Sequence, residues 1–201
     1  MKTEKDFWDW FVRHEAKLFN FRGDQEDERE NLFGELAAQL QKVHPELAFE
    51  FGPNEARRDF VISAGGIRAA FPSVASLVGA APVLDRWRII AFRPRRSPVN
   101  AVEFRGKRVN PKDVQFTLLS DGRMPGVRLF IPGYQETDSD MKAIGYLLLD
   151  ESLGEYDVET QLGMIQMLSP ETRTDERRYP FAELPKQFDE LLASLRPTLE
   201  N

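Results

Sequence analysis

The chain has no cysteine and only two histidines among its 201 residues. It therefore cannot form a disulfide, use a thiolate nucleophile or hold zinc or an iron–sulfur cluster through sulfur. His14 and His44 alone cannot build a multi-histidine metal centre, and no GxSxG motif supports a serine nucleophile. We therefore expect no metal and no cofactor.

Long apolar runs are also missing. The segment 1–11 shows neither a signal peptide nor a membrane span, so the expected location is the cytoplasm and no membrane partner is predicted. There are 33 acidic residues against 27 basic ones, a formal charge of −6, which argues against nucleic acid as a partner. We expect a protein partner of unknown identity, and the oligomeric state is left open.

Large apolar side chains are abundant. The chain contains 15 Phe, 3 Trp and 4 Tyr, and 41% of its residues are hydrophobic. Each aromatic ring buries about 150–250 Å² in a core. We therefore predict a single domain over 1–201, in which a helical hairpin over 1–44 packs on an α+β body over 45–201.

The periodicity of apolar residues predicts an α+β fold with a mixed or antiparallel β-sheet. Two helices, 4–21 and 25–43, are expected to be joined around Arg22-Gly23-Asp24, with Gly23 ending the first and Asp24 capping the second. Further helices are predicted at 72–81, 138–154 and 181–195. Strands are predicted at 47–51, 59–64, 87–92, 101–105, 114–119, 127–131 and 158–167.

The first helix places two polar residues on its apolar side. At 100° per residue, His14 and Glu15 of FWDWFVRHE project within an arc of Phe, Trp and Leu side chains. Glu15 then either bonds an arginine or a backbone N–H, or lines a pocket with a raised pKa, or is exposed because the helix packs on a narrower face.

A second unusual stretch is YLLLDESLGEYDVET, residues 146–160. It carries the carboxylates of Asp150, Glu151, Glu155, Asp157 and Glu159, of which Asp157 and Glu159 would share one face of the predicted strand. A solvated acidic turn is the simpler interpretation, and a magnesium or calcium site is the alternative.

Arginines cluster around the predicted strand WRIIAF, at positions 86, 88, 93, 95 and 96. Because a guanidinium can bond both oxygens of a carboxylate, we expect one of them to meet Glu15 or the acidic turn. A phosphate site is the alternative, although FRPRRSP has no glycine-rich loop beside it.

These features support two functional hypotheses. The leading one is a non-enzymatic protein-binding or regulatory module, because no strong catalytic constellation or cofactor fingerprint is present. The alternative is a small-molecule enzyme or hydrolase with a carboxylate-lined pocket. Its candidate pocket would bring together His14, Glu15, Arg93, Asp150, Glu155 and Asp157.

Three segments carry a resemblance to a known family: FWDWFVRHE, LLLDESLGEYDVET with the following GMIQM, and PFAELPKQFDELL. Together they resemble a bacterial family of small proteins of uncharacterised function. The resemblance implies a bacterial cytosolic protein with an α+β fold, and it implies no catalytic residues. More distantly, the chain resembles small acidic bacterial regulators of ribonuclease activity, which act by binding a protein.

Overall fold

The computed structural model describes residues 2–21 and 26–195. The predicted stop at Gly23 and cap at Asp24 lie outside these ranges. The chain divides into two compact units, Met1–Arg93 and Pro94–Asn201. The single-domain organisation stays a prediction, and each unit is described by itself.

Within its described residues, the first unit contains three α-helices and a three-stranded mixed sheet. The middle strand, β2, pairs antiparallel with β1 and parallel with β3. Every predicted element of this unit is confirmed to within two residues of each end. The helices are α1 (Lys2–Asn20), α2 (Glu26–Val43) and α3 (Phe71–Gly79), the strands are β1 (Ala48–Phe51), β2 (Arg58–Ser63) and β3 (Trp87–Ala91), and a short 3-10 helix spans Arg68–Ala70.

The aromatic side of α1 forms the core of the first unit. Phe7, Trp8 and Phe11 are all buried. Phe11 stacks on Phe60 of β2, with 4.9 Å between ring centroids, and meets Trp87 of β3 edge to face. The tryptophan and phenylalanine content of FWDWF is thus explained by burial against the sheet.

The second unit contains a four-stranded mixed sheet of order β8-β7-β6-β9 and a separate β4-β5 hairpin. Strand β7 pairs antiparallel with β6 and parallel with β8. The strands are β4 (Val102–Phe104), β5 (Lys107–Val109), β6 (Gln115–Ser120), β7 (Pro125–Phe130), β8 (Met164–Leu168) and β9 (Tyr179–Pro180). The helices are α4 (Ser139–Leu153), α5 (Glu155–Gln161) and α6 (Leu184–Leu195), with 3-10 helices at Pro111–Asp113 and Phe181–Glu183.

The α+β class is confirmed, with its strands arranged in mixed sheets. The helices predicted at 138–154 and 181–195 are present, the second of them opening with a 3-10 turn. Asp138, which the sequence offers as a capping residue alongside Ser139, caps α4 through the backbone N–H groups of Asp140 and Met141. The short strands β5 and β9 were not predicted from the sequence.

The strand predicted at 158–167 is wrong over its first part. Residues Glu155–Gln161 form helix α5, and β8 begins only at Met164. Gly154, with a φ of 86°, ends α4 and allows a second helix to start at once. Glu155 and Val158 are the buried residues of α5, and their spacing of three is that of a helix.

Candidate functional site

Glu15 has an arginine partner, as predicted. Its Oε2 accepts a hydrogen bond of 2.8 Å from Arg86 Nη2, and its Oε1 accepts bonds from Arg86 Nε at 3.2 Å and from Trp87 Nε1 at 2.9 Å. The Glu15 side chain is 24% exposed. These bonds attach α1 to the start of β3, so the geometry favours a structural clamp over the wall of a pocket.

His14 lies in a different environment from Glu15. Its ring stacks on Trp10, with 4.3 Å between centroids, and its Nδ1 lies 2.8 Å from the Trp10 carbonyl oxygen. Together with Glu28 and Glu35 of α2 it lines a cleft of about 720 Å³ between the first two helices. Glu15 does not line this cleft.

Two arginines of the cluster meet the acidic segment of the second unit. Arg95 Nη2 bonds Asp157 at 2.8 Å, and Arg96 Nε bonds Glu151 at 2.8 Å. The expectation that this cluster pairs with Glu15 or the acidic segment is therefore confirmed at both places.

The interpretation of the acidic segment as a solvated turn needs correction. Asp150 is only 5% exposed and Glu155 is fully buried, because both lie where α4 and α5 pack into the core of the unit. Asp157 and Glu159 do not share a strand face, since both belong to α5.

The candidate pocket drawn from the sequence spans both units. His14, Glu15 and Arg93 belong to the first, where Arg93 pairs with Glu50. Asp150, Glu155 and Asp157 belong to the second. The convergence of the six residues stays a prediction.

A different site, not predicted from the sequence, lies within the second unit. It is a cleft of about 620 Å³, which we call the Ser152 cleft. Four segments form it: the chain before β4, the 3-10 turn before β6, the end of α4, and the chain entering α6. Its lining residues are Arg95, Arg96, Ser97, Pro98, Val99, Pro111, Lys112, Ser152, Pro180, Phe181, Ala182, Pro185 and Lys186.

The apolar walls of the Ser152 cleft are conformationally restricted. Pro98, Pro111, Pro180 and Pro185 line it, and each proline ring fixes its own φ angle. Phe181, itself 2% exposed, joins them from the core of the unit. A concave and mostly apolar surface of this volume, built from restricted backbone, has the properties of a preformed ligand site.

Ser152 supplies a polar group without a partner. Its side chain is 1% exposed, and its Oγ makes no hydrogen bond within the described parts of the chain. A helical serine commonly donates to the carbonyl four residues earlier, and Ser152 does not. Leaving a buried hydroxyl unsatisfied costs about 1–3 kcal/mol.

The charged residues of the cleft are all basic. Arg95, Arg96, Lys112 and Lys186 line it, and no carboxylate does. The second unit as a whole has 14 basic and 18 acidic residues, a difference of −4. The lining of the cleft is therefore positively charged, whereas the second unit as a whole is negatively charged.

Arg95 is held in place by three hydrogen-bond partners. Arg95 donates to the Leu153 carbonyl, to Asp157 and to Asp189. Burial lowers the pKa of the Arg95 guanidinium, but the bonds to Asp157 and Asp189 outweigh it, so its pKa lies above the ordinary value. Arg95 is therefore charged, and its bonds to Asp157 and Asp189 connect the cleft to α5 and α6.

Sequence reasoning missed this site for a physical reason. Its prolines, lysines and Ser152 come from four segments separated by tens of residues, with no fixed spacing. Ser152 itself looked like one small residue within the apolar helix YLLLDESL. The only local signal was the proximity of Arg95 and Arg96 to Pro98.

Comparison with family models, curated proteins and solved structures found no match to this chain. Within the described ranges, no helix has both the length and the apolar character needed to cross a bilayer. The same residues contain no group of three or more histidine, aspartate or glutamate side chains placed to hold a metal ion.

Proposed function

We propose that this protein is a non-enzymatic binding module of the protein-binding or regulatory kind, acting in the bacterial cytoplasm, and that the Ser152 cleft is its ligand site. The observation that carries the proposal is a preformed, mostly apolar cleft of about 620 Å³ whose charged lining residues are all basic. A bound molecule would cover this apolar surface, which is a favourable contribution to binding.

The geometry at Ser152 favours binding over nucleophilic catalysis. A nucleophilic serine needs a base within hydrogen-bond reach, and Ser152 Oγ has no hydrogen-bond partner among the described residues. The alternative hypothesis, an enzyme with a carboxylate-lined pocket, names different residues, and the lining of the Ser152 cleft contains no carboxylate.

Filling the cleft with a large side chain tests the proposal. Ala182 is exposed and lines the cleft, so Ala182→Trp should occlude it. Ala193, exposed on α6 outside the lining, provides the matched control Ala193→Trp. Neutral fragments such as indole, cyclohexanol and benzamide are titrated into the protein, and binding is mapped by amide chemical shifts.

We expect fragment-induced shifts at residues around Ser152 in the wild type and in Ala193→Trp, and their loss in Ala182→Trp. Fragments that shift no cleft residue, or that bind Ala182→Trp unchanged, would contradict the assignment of the site. The same two variants test the protein-partner hypothesis, since a partner that recognises this cleft is retained by Ala193→Trp and released by Ala182→Trp.

A further inference from the structure

The basic residues of the Ser152 cleft differ in how much of their charge is already neutralised. Arg95 faces Asp157 and Asp189, and Arg96 faces Glu151. These carboxylates belong to the fold and neutralise the charge of Arg95 and Arg96. The two arginines therefore attract an anionic ligand only weakly.

The two lysines of the lining are available. Lys112 is exposed and forms no ion pair within residues 2–21 and 26–195. Lys186 is 80% exposed, and its only ion pair there is with Glu190, whose carboxylate oxygen is 3.9 Å away. An exposed pair at that distance contributes little, so both ammonium groups can bind an anion.

The start of α6 adds to the same electrostatic field. Pro185 and Lys186 lie in the first turn of this 12-residue helix, and both line the cleft. The helix dipole places partial positive charge at this end. A negative charge at the lysine side of the cleft is therefore favoured by two ammonium groups and by the helix.

We infer that the Ser152 cleft binds a small amphipathic organic acid, an inference that rests on the proposed function and specifies its ligand. The carboxylate lies at Lys112 and Lys186, and the apolar body lies along the prolines and Phe181. A volume of about 620 Å³ lies within the range of small-molecule sites, roughly 300–1,000 Å³.

Three related probes separate these features. The first is para-hydroxyphenylpropionate, which has a carboxylate, an aromatic body and a hydroxyl. Its amide lacks the charge, and phenylpropionate lacks the hydroxyl. Each is titrated into the full-length protein by calorimetry or ligand-observed NMR at low salt.

We expect the hydroxy acid to bind more tightly than its amide, by about fivefold, the sum of two exposed charge contacts. The double variant Lys112→Gln/Lys186→Gln should remove this difference and leave amide binding unchanged. Lys142→Gln, an exposed α4 lysine outside the cleft, is the control and should keep the difference. Added salt should weaken the acid only, because it screens exposed charges.

Ser152→Ala is a second control. Because Ser152 Oγ is buried, this variant should keep the difference between acid and amide, and phenylpropionate should bind as tightly as the hydroxy acid. Equal affinity of acid and amide for the wild type, both lost in Ala182→Trp, would overturn the organic-acid inference while the binding module stands. Failure of all three probes and of the neutral fragments to bind the cleft would overturn both.

Discussion

Glu15 joins α1 to the edge strand β3 through three hydrogen bonds to Arg86 and Trp87. The pair is only partly buried, since the Arg86 side chain is 43% exposed. Its contribution therefore lies between that of a surface ion pair and that of a fully buried one. The carboxylate is shared by a charged donor and an indole, so both its oxygens are used.

Glu15→Gln should lower the free energy of unfolding by about 1–2 kcal/mol, because the amide removes the negative charge opposite Arg86 and turns an N–H group toward it. Chemical denaturation with matched m-values measures the change. An unchanged midpoint would contradict the clamp.

Asp59→Asn is the matched control for Glu15→Gln. Asp59 makes a similar two-bond pair with Arg88, but Arg88 is 65% exposed. Solvent screens this pair more strongly, so the substitution should shift the midpoint less than Glu15→Gln.

At the scale of elements, the start of α4 combines a helix cap with an ion pair. Asp138 accepts backbone hydrogen bonds from Asp140 and Met141, and both its oxygens lie 2.6 Å from Lys107 Nζ. The hydrogen bond from Lys107 is the largest influence on Asp138, followed by the Met141 N–H, and together they lower its pKa below the ordinary 3.8.

The lowered pKa sets the pH dependence of this cap. A carboxyl whose pKa is lower in the folded chain contributes stability that is complete above its unfolded pKa of 3.8 and is lost as pH falls through the folded value. Asp138→Asn keeps a side-chain oxygen that can cap α4 but loses the carboxylate charge. Asp138→Ala loses both the capping oxygen and the charge.

We therefore expect Asp138→Ala to have a lower thermal midpoint than Asp138→Asn at pH 7, and the wild type to exceed both. The gap between wild type and Asp138→Asn should shrink as pH is lowered from 5 to below 3.8. Thermal unfolding followed by circular dichroism across this range measures it. A gap that stayed constant would show that the Asp138 charge does not stabilise the helix start.

The sequence predicted an element correctly where its apolar residues followed a single pattern. The prediction failed where the alternation of a strand and the spacing of a helix occurred in the same segment. The helix at 26–43 repeats its apolar residues at helical spacing, and the strand at 87–91 is a short, mostly apolar run. In GEYDVET, apolar and polar residues alternate as in a strand, while Glu155 and Val158 recur at helical spacing. Packing against α4 decided between them, and local sequence does not contain that information.

At the scale of the whole molecule, each unit has its own hydrophobic core. One cluster draws its buried members from Phe7 to Trp87, and the other from Val109 to Phe188. If the chain is a single domain, as the sequence predicts, the two cores should unfold together.

A single domain should unfold in one calorimetric transition whose measured enthalpy equals the van't Hoff enthalpy. Scanning calorimetry of the full chain tests this, with Glu15→Gln as a marker of the first unit. Two transitions, of which only one moves in Glu15→Gln, would contradict a single cooperative domain.

The sequence by itself determined the α+β class, the aromatic face of α1, a cap at Asp138 or Ser139 and the pairing of the arginine cluster with carboxylates. These properties follow from periodicity, capping chemistry and charge, which act over a few residues or need no exact position. The Ser152 cleft was decided only by tertiary structure. Its walls and its two available lysines come from different segments of the chain, and only packing brings them to one surface.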